Sequence, residues 1–226
     1  MRGLECELSP LEKPDGSCVF MQGDTKVICG VYGPTEVKIN REIIEKSTLE
    51  CIVKPKSSQP GCREKALEAI LTRTCEEVAL VTMHPRSAIQ IVFQIVQDSG
   101  SMLSCLINGA SMAMLNAGLP MKCMLVAVTC AIDKQDDFLI DPTTEQESEA
   151  RCTMTYAFDS RSYNMISSYT TGTFSTEDLF KSMELCRLAA ESVSLFQRSS
   201  VERYLSKEMN EGEADDVDDD ELIDDS

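Results

Sequence analysis

Alternating and apolar runs near the start of the chain predict three β-strands. Residues 16–22 and 25–32 are rich in β-forming side chains and flank Gly23-Asp24, a dipeptide of the kind favoured in tight hairpin turns. Residues 48–54 form a third run of the same character after a polar stretch. The pattern therefore predicts a hairpin followed by one further strand.

The period of the apolar positions then changes to that of a helix. A first amphipathic helix is predicted by a stripe that comprises Ala66, Leu67, Ile70, Leu71, Cys75, Val78 and Ala79. Residues 87–97 alternate and predict a strand with one face in the core. A second helix begins at Ser101 and stops at Gly118, with Pro120 just beyond. Because this helix is almost wholly apolar, we expect it to be buried.

The second half of the chain repeats this order of strands followed by a helix. Strand patterns cover residues 123–132, 138–140, 150–158 and 163–170. A long amphipathic helix then opens near Ser175 or Thr176. Two groups of strands, each followed by a helix, favour an α+β fold of mixed sheets covered by helices over a Rossmann-like alternation. We expect one such domain over residues 1–207.

The charge is distributed unevenly. The chain has a net charge of −17, but 11 of its 38 acidic residues lie in residues 208–226, which contain no basic residue. The remainder carries only about −6, so the net charge does not exclude a nucleic-acid partner. We expect residues 208–226 to form a disordered acidic tail, either a plain solvated terminus or a docking segment for a basic partner.

Cysteine usage and hydropathy exclude several classes of protein. The 11 cysteines are odd in number and include no Cys-x-x-Cys pair, and His84 is the only histidine. These features favour reduced, mostly buried thiols over disulfides or a structural zinc site. No apolar run approaches the length of a membrane-spanning helix, so we expect a soluble intracellular protein with no membrane partner.

Several short motifs occur in a fixed order along the chain. They are Pro14-Asp15-Gly16-Ser17, Gln22-Gly23-Asp24-Thr25-Lys26-Val27, Val31-Tyr32-Gly33-Pro34, His84-Pro85-Arg86, Asp98-Ser99-Gly100-Ser101, Asn116-Ala117-Gly118-Leu119-Pro120-Met121 and Leu139-Ile140-Asp141-Pro142-Thr143. In this order they resemble the RNase PH family over residues 4–205. Within that family the chain most resembles the subunits of the eukaryotic exosome ring.

This resemblance implies a fold, an assembly and an activity. The fold is an RNase PH-like domain of the type of ribosomal protein S5 domain 2. Subunits of the family pair into dimers, and three dimers close a six-subunit ring through which RNA is threaded. Bacterial members degrade RNA from its 3′ end by phosphorolysis, in which inorganic phosphate attacks the terminal phosphodiester and a nucleoside diphosphate leaves.

Two positions depart from the pattern of active members. Active members carry Gly-Thr-Arg or Gly-Ser-Arg at the start of the second helix. Here Gly100 and Ser101 are a remnant of this phosphate loop, and Met102 replaces the arginine that would bind phosphate. Of two aspartates expected six positions apart, Glu147 keeps a carboxylate and Thr153 does not. Ser101 and Glu147 are therefore the only catalytic candidates, as vestiges.

A second chemistry is open at the same place. On a strand, Glu145, Glu147 and Glu149 would share one face, which is enough in principle for metal-dependent hydrolysis. The alternative is an exposed acidic strand or turn. We expect no required cofactor and no resident metal, with magnesium and phosphate needed only if residual activity exists.

A local excess of basic residues favours contact with nucleic acid. The candidates are Arg63, Lys65, Arg73 and Arg86, of which Arg63 and Arg73 match arginines that the resemblance places against the RNA backbone. The alternative is that these residues solubilise the first helix and pair with nearby glutamates. Because no aromatic residues cluster with them in the sequence, we expect contacts to phosphates that weaken with salt.

The leading hypothesis is a non-catalytic subunit of the RNA exosome ring that acts in assembly and RNA guidance, in the nucleus, including the nucleolus, and in the cytoplasm. Its partners would be other RNase PH-like exosome subunits and RNA. One alternative is a free homodimer that binds RNA or DNA and assists another nuclease. The other is a residual phosphorolytic or metal-dependent nuclease.

Overall fold

Two β-sheets enclose one central helix. The computed structural model describes residues 1–37, 39–57 and 59–220, with side chains as far as residue 207 except at residue 39. The first sheet has the strand order β1-β2-β3-β5-β4. Its strands are β1 (Leu4–Leu8), β2 (Gly16–Gln22), β3 (Thr25–Glu36), β4 (Thr48–Lys54) and β5 (Ser87–Gln97). All of its pairs are antiparallel except β4 with β5, which makes this a mixed sheet.

The second sheet is antiparallel throughout and has the order β7-β6-β8-β9. Its strands are β6 (Leu125–Ile132), β7 (Phe138–Ile140), β8 (Cys152–Asp159) and β9 (Met165–Gly172). Every residue of β6 is buried, because β6 lies inside the sheet with helices on its faces. β9 is an edge strand with mostly exposed or half-buried side chains.

The α-helices are α1 (Cys62–Val78), α2 (Met102–Asn116), α3 (Thr144–Glu149) and α4 (Thr176–Asp220), and Ile39–Arg41 and Val81–Met83 are short 3-10 turns. α2 packs against strands of both sheets, and its first thirteen residues are buried. The Asn108 amide joins α2 to β6 by accepting from the Ala127 amide at 2.8 Å and donating to the Ala127 carbonyl at 3.0 Å. The helix thereby forms the common core of both sheets.

Most predicted elements are confirmed. The hairpin turns at Gly23-Asp24, with Gln22 opposite Thr25, and the buried helix and the α+β class are as expected. The prediction that β3 stops before Gly33 is wrong. A register shift between Tyr32 and Thr35 absorbs the extra residues, and the strand continues to Glu36.

Two elements differ from what the sequence predicts. β1 is an additional strand because Leu4–Leu8 alternates and pairs along the edge of β2. The acidic segment around Glu147 is helical rather than a strand, because Thr143 accepts a hydrogen bond from the Gln146 amide and caps the helix. The predicted strands at 123–132, 150–158 and 163–170 each begin two residues later than expected.

Three general expectations concern the rest of the chain. All 11 cysteines are free thiols, and eight of them are buried. No helix within the described ranges is long and apolar enough to cross a membrane. The backbone of α4 continues to Asp220, but side chains from residue 208 and all of residues 221–226 lie outside the described part. The disordered tail and the single domain over residues 1–207 stay predictions.

Candidate nucleic-acid cleft at the start of helix α2

The loop between β5 and α2 has a tightly constrained backbone. Gly100 has φ +97°, and a Cβ atom there would lie 2.5 Å from the carbonyl oxygen of Pro142, so only glycine fits without movement. Ser101 follows in the left-handed region with φ +54° and is the N-cap of α2. The loop thus turns sharply and directs the first amides of α2 toward the second sheet.

Arg2 fixes this loop from the other side. Its guanidinium donates to the carbonyl oxygens of Ser99 at 2.9 Å and Gly100 at 3.2 Å. Thr25 adds a third bond, from its Oγ1 to the Gly100 carbonyl at 2.7 Å. Because Arg2, just before β1, and Thr25, at the start of β3, both donate to these carbonyls, they hold the loop against the first sheet.

Asp141 holds Arg2 in turn. Its carboxylate accepts from the Arg2 guanidinium at 2.6 Å, from the Arg2 backbone amide at 2.8 Å and from the Gln22 side-chain amide at 2.8 Å. Burial by itself would raise the pKa of Asp141, but the Arg2 bonds and charge, together with Gln22, lower it below its ordinary value. The Asp141 carboxylate is therefore bonded through both oxygens, while the buried Nε of Arg2 has no hydrogen-bond partner among the described residues.

The two catalytic candidates, Ser101 and Glu147, meet at this point. The Ser101 backbone amide donates to Oε1 of Glu147 at 2.7 Å, and the Ser101 hydroxyl donates to the Pro142 carbonyl at 3.0 Å. The start of a helix attracts anions, and here the anion is a carboxylate of the same chain. Neither donor of Ser101 is available to an incoming phosphate in this conformation.

Glu147 occupies this position because it lies on a helix. Residues two apart on a helix point in nearly opposite directions, so Glu145 and Glu149 face solvent while Glu147 faces α2. The shared acidic face expected for a strand is therefore wrong. Burial, and then the negative charge of Asp98, raise the pKa of Glu147, while the Ser101 amide opposes them in part.

A cavity of about 280 Å³ opens beside this contact. Its lining brings together five residues singled out as candidates for binding or catalysis, namely Arg63, Ser101, Met102, Glu147 and Thr153. Thr153 shares a hydrogen bond of 2.5 Å with Thr171, and Met102 is buried in the hydrophobic core. Hydroxyls and a thioether thus stand where phosphorolysis would need a second carboxylate and a cation.

The four predicted basic contacts separate in space. Arg63 alone lines the cleft, where it lies 3.3 Å from Asp98. Lys65 pairs with Glu68 at 2.7 Å on the exposed surface of α1, and Arg86 lies 3.6 Å from Glu42 at a distant turn. Arg73 is exposed on α1 outside this cavity. Only Arg63 is therefore placed to contact a ligand in the cleft.

Tyr169 and Arg2 are the residues that sequence reasoning missed. Tyr169, on edge strand β9, is 40% exposed and lines the same cavity as Arg63. No aromatic residue clusters with the basic residues in the sequence, but the fold brings Tyr169 to the same cavity as Arg63, more than one hundred positions away. The alternation of β9 indicates which face of the strand carries Tyr169. It does not indicate which helices lie against that face.

Metal binding has no support among the described side chains. Within residues 1–37, 40–57 and 59–207, no three or more His, Cys, Asp or Glu residues are grouped so that they could hold a metal ion. Glu145 and Glu149 point away from Glu147 for the reason given above.

Comparisons with known proteins agree with this geometry. The model of the 3′ exoribonuclease family, domain 1, matches residues 1–120, and the model of domain 2 of the same family matches residues 123–187. The exosome complex exonuclease RRP46 homolog of Arabidopsis thaliana is 34% identical over 224 residues, which cover 92% of this chain and 94% of the relative. The exosome complex component rrp46 of Schizosaccharomyces pombe is 35% identical over 81% of this chain and 83% of its own length.

Solved structures give the same result for the fold. The crystal structure of rice (Oryza sativa) Rrp46 has a TM-score of 0.85 at 33% identity and covers 89% of this chain and 95% of that chain. An archaeal exosome core has a TM-score of 0.75 at 19% identity, covering 87% of each chain, and supports the fold alone. On the strength of both family models and these relatives, the chain belongs to the 3′ exoribonuclease family of RNase PH-like proteins.

Proposed function

We propose that this chain is a non-catalytic subunit of the RNA exosome ring, which contributes to assembly and to the guidance of RNA toward degradation. Relatives named as RRP46 exosome proteins match it over nearly its whole length, which supports the assembly. Its partners are then other RNase PH-like exosome subunits and RNA. This role requires no cofactor of its own.

The contact between Ser101 and Glu147 is the observation that carries the non-catalytic part. The Ser101 amide donates to Oε1 of Glu147 at 2.7 Å. This amide is therefore not free to bind an attacking phosphate. The neighbouring position, where the family resemblance leads us to expect an arginine, is the buried Met102. Bringing phosphate to an RNA phosphodiester requires fixed positive charge, and this cleft offers an internal negative charge instead.

RNA guidance is supported by the residues that remain exposed in the cleft. Arg63 has a side chain that is 70% exposed, so its ion pair with Asp98 can open at low cost. Arg63 also lines a neighbouring cavity of about 550 Å³ that contains Lys56. Arg63 lies between the two cavities, with Lys56 in one and the exposed Tyr169 in the other, and this set suits a single strand of RNA that is bound through phosphates and one stacked base.

The test of this function is a degradation assay with the purified chain and single-stranded RNA labelled in its internal phosphates, so that each released nucleotide carries the label. Magnesium is present throughout, phosphate is present or absent, and the products are scored as nucleoside diphosphate or monophosphate. We expect no product together with salt-sensitive binding. Phosphate-dependent diphosphates that disappear in Glu147→Gln would overturn the non-catalytic proposal, and monophosphates would indicate a hydrolytic site.

Sedimentation of the endogenous protein tests the assembly. A ring-sized complex that contains other RNase PH-like subunits supports the proposal. A discrete pool near twice 25.0 kDa would instead favour the free homodimer that binds RNA or DNA and assists another nuclease. Fractionation of the same cells would show whether the complex is found in nucleus, nucleolus and cytoplasm, as the proposed role in RNA processing requires.

A further inference from the structure

A second cleft lies at the opposite end of α2. It has a volume of about 430 Å³ and is built from the end of α2, the segment that follows it, the turn after β8 and one side of α4. Because α2 has 15 residues, the two clefts are roughly 22 Å apart along the helix. Its floor is apolar, formed mainly by Leu115, Leu119, Met121 and Met124.

Three cations surround this apolar floor. Lys122, Arg161 and Arg198 all line the cleft and are all exposed, and no carboxylate lines it. The Lys122 ammonium donates to the Glu77 backbone carbonyl at 2.9 Å and so keeps its charge uncompensated. Asp159, just before the turn, accepts from the Arg161 backbone amide at 2.8 Å and the Ser162 hydroxyl at 2.9 Å, and it forms no ion pair among the described side chains.

Of the other described basic side chains, seven form ion pairs and ten do not; Lys122, Arg161 and Arg198 stand out because they surround one apolar cavity that no carboxylate lines. Arg2, Arg41, Lys46, Arg63, Lys65, Arg86 and Arg151 each form an ion pair with a carboxylate of the chain. Among the described side chains, Lys122, Arg161 and Arg198 take part in none. In a chain with a net charge of −17, three unpaired cations around one apolar cavity form a locally positive site.

We propose that this cleft binds an acidic peptide segment of a partner protein, with carboxylates on the three cations and an apolar side chain on the Leu and Met floor. Charge complementarity accounts for the cations, and methionine side chains adapt to varied apolar ligands. An RNA strand would use the cations but not the floor, and no aromatic residue lines the cleft to stack a base. The cavity volume also falls within the range of small ligand pockets.

The probe is a fluorescein-labelled 12-residue peptide, Asp-Asp-Leu repeated four times, titrated with the full chain and followed by anisotropy. We expect saturable binding that weakens as salt rises, because the charges lie at an exposed rim. The double variant Arg161→Glu and Arg198→Glu should weaken binding by roughly tenfold or more. Met121→Gln should weaken it by roughly threefold through loss of the apolar contact, with all charges retained.

Matched controls make the outcome specific. Arg187→Glu reverses an exposed charge on α4 outside the cleft and should leave binding unchanged. The same peptide with Asn for Asp should not bind, and thermal unfolding should show that all variants are folded. Absence of binding to the acidic peptide, or equal losses in Arg187→Glu, would overturn the proposal. So would tighter binding of a 12-nucleotide uridine RNA that Met121→Gln leaves unchanged, which would assign the cleft to RNA.

Discussion

The two ends of α2 use the same kinds of residue in opposite ways. At the start of the helix, three charged side chains meet internal partners: Asp141 binds Arg2, Glu147 binds the Ser101 amide, and Arg63 lies against Asp98. At its end, Lys122, Arg161 and Arg198 have no ion-pair partner among the described side chains. One end is satisfied from within the chain, whereas the other is complete only with an external anion.

The difference between the two ends distinguishes a site inherited from the family from a site that is open to a ligand. The start of α2 keeps the backbone of a phosphate loop, with Gly100 in its constrained conformation, while its donors are bound to the chain's own oxygens. Motifs identify this end as a family site, and the proposed non-catalytic role gives its contacts a structural purpose. The other end matches no catalytic motif, and its unpaired cations are the stronger indication of a ligand.

Breaking the internal ion pair should have the largest effect on stability. Asp141→Asn leaves the half-buried Arg2 guanidinium without its carboxylate, and we expect a loss of about 3 kcal/mol in the free energy of unfolding. Urea denaturation at neutral pH measures this loss. Asp159→Asn, at the other end of α2, is the matched control and should cost only about 1 kcal/mol, because Asp159 is half-buried and binds no cation. Equal losses at both ends would contradict the comparison.

Removing the carboxylate at the start of α2 should have a smaller effect. Glu147→Ala leaves the Ser101 amide without its acceptor in a buried position, at a cost of roughly 1–2 kcal/mol. The exposed Glu149→Ala on the same short helix should change stability by less than about 0.5 kcal/mol. Thermal and urea unfolding of both variants provide the measurement. If the two variants unfold alike, Glu147 is not the anion that satisfies this helix.

Arg63 provides the corresponding test for RNA. Arg63→Glu should weaken binding of single-stranded RNA several-fold and reduce the slope of log Kobs against log salt by about 0.7, the value for one phosphate contact. Lys65→Glu makes the same change of charge two residues away, outside the cleft and on a residue paired with Glu68. It should leave the slope unchanged in fluorescence titrations. A common change in both variants would indicate a diffuse electrostatic effect and no specific contact at Arg63.

The sequence predicts elements whose signal is local. The hairpin at Gly23-Asp24 and the buried α2 follow from short-range patterns, and both are confirmed. β1 is not predicted, because an edge strand of five alternating residues gives only a weak signal in the sequence. The alternating acids around Glu147 suggest a strand or turn. The reciprocal cap formed by Thr143 and Gln146 makes this segment a helix.

The site is less predictable because its contacts are distant along the chain. Arg2 and Asp141 are separated by 139 positions, and Ser101 and Glu147 by 46. Motifs could place Ser101 and Glu147 in one cleft, but only the fold shows that they bind each other. The cations of the second cleft come from three elements and form no pattern in the sequence.

The smallest expected effect concerns the pH dependence of Glu147. Folding raises the pKa of Glu147. The part of its contribution to stability that depends on its bound proton is therefore complete below the unfolded value of about 4.3, and it is lost as pH rises through the folded pKa. Glu147→Gln keeps an oxygen acceptor for the Ser101 amide but cannot ionise. We therefore expect this variant to be more stable than the wild type at pH 7, by less than about 1 kcal/mol, and the difference to shrink as pH falls toward about 4. A difference that grows on acidification would mean that folding lowers the pKa of Glu147 and does not raise it.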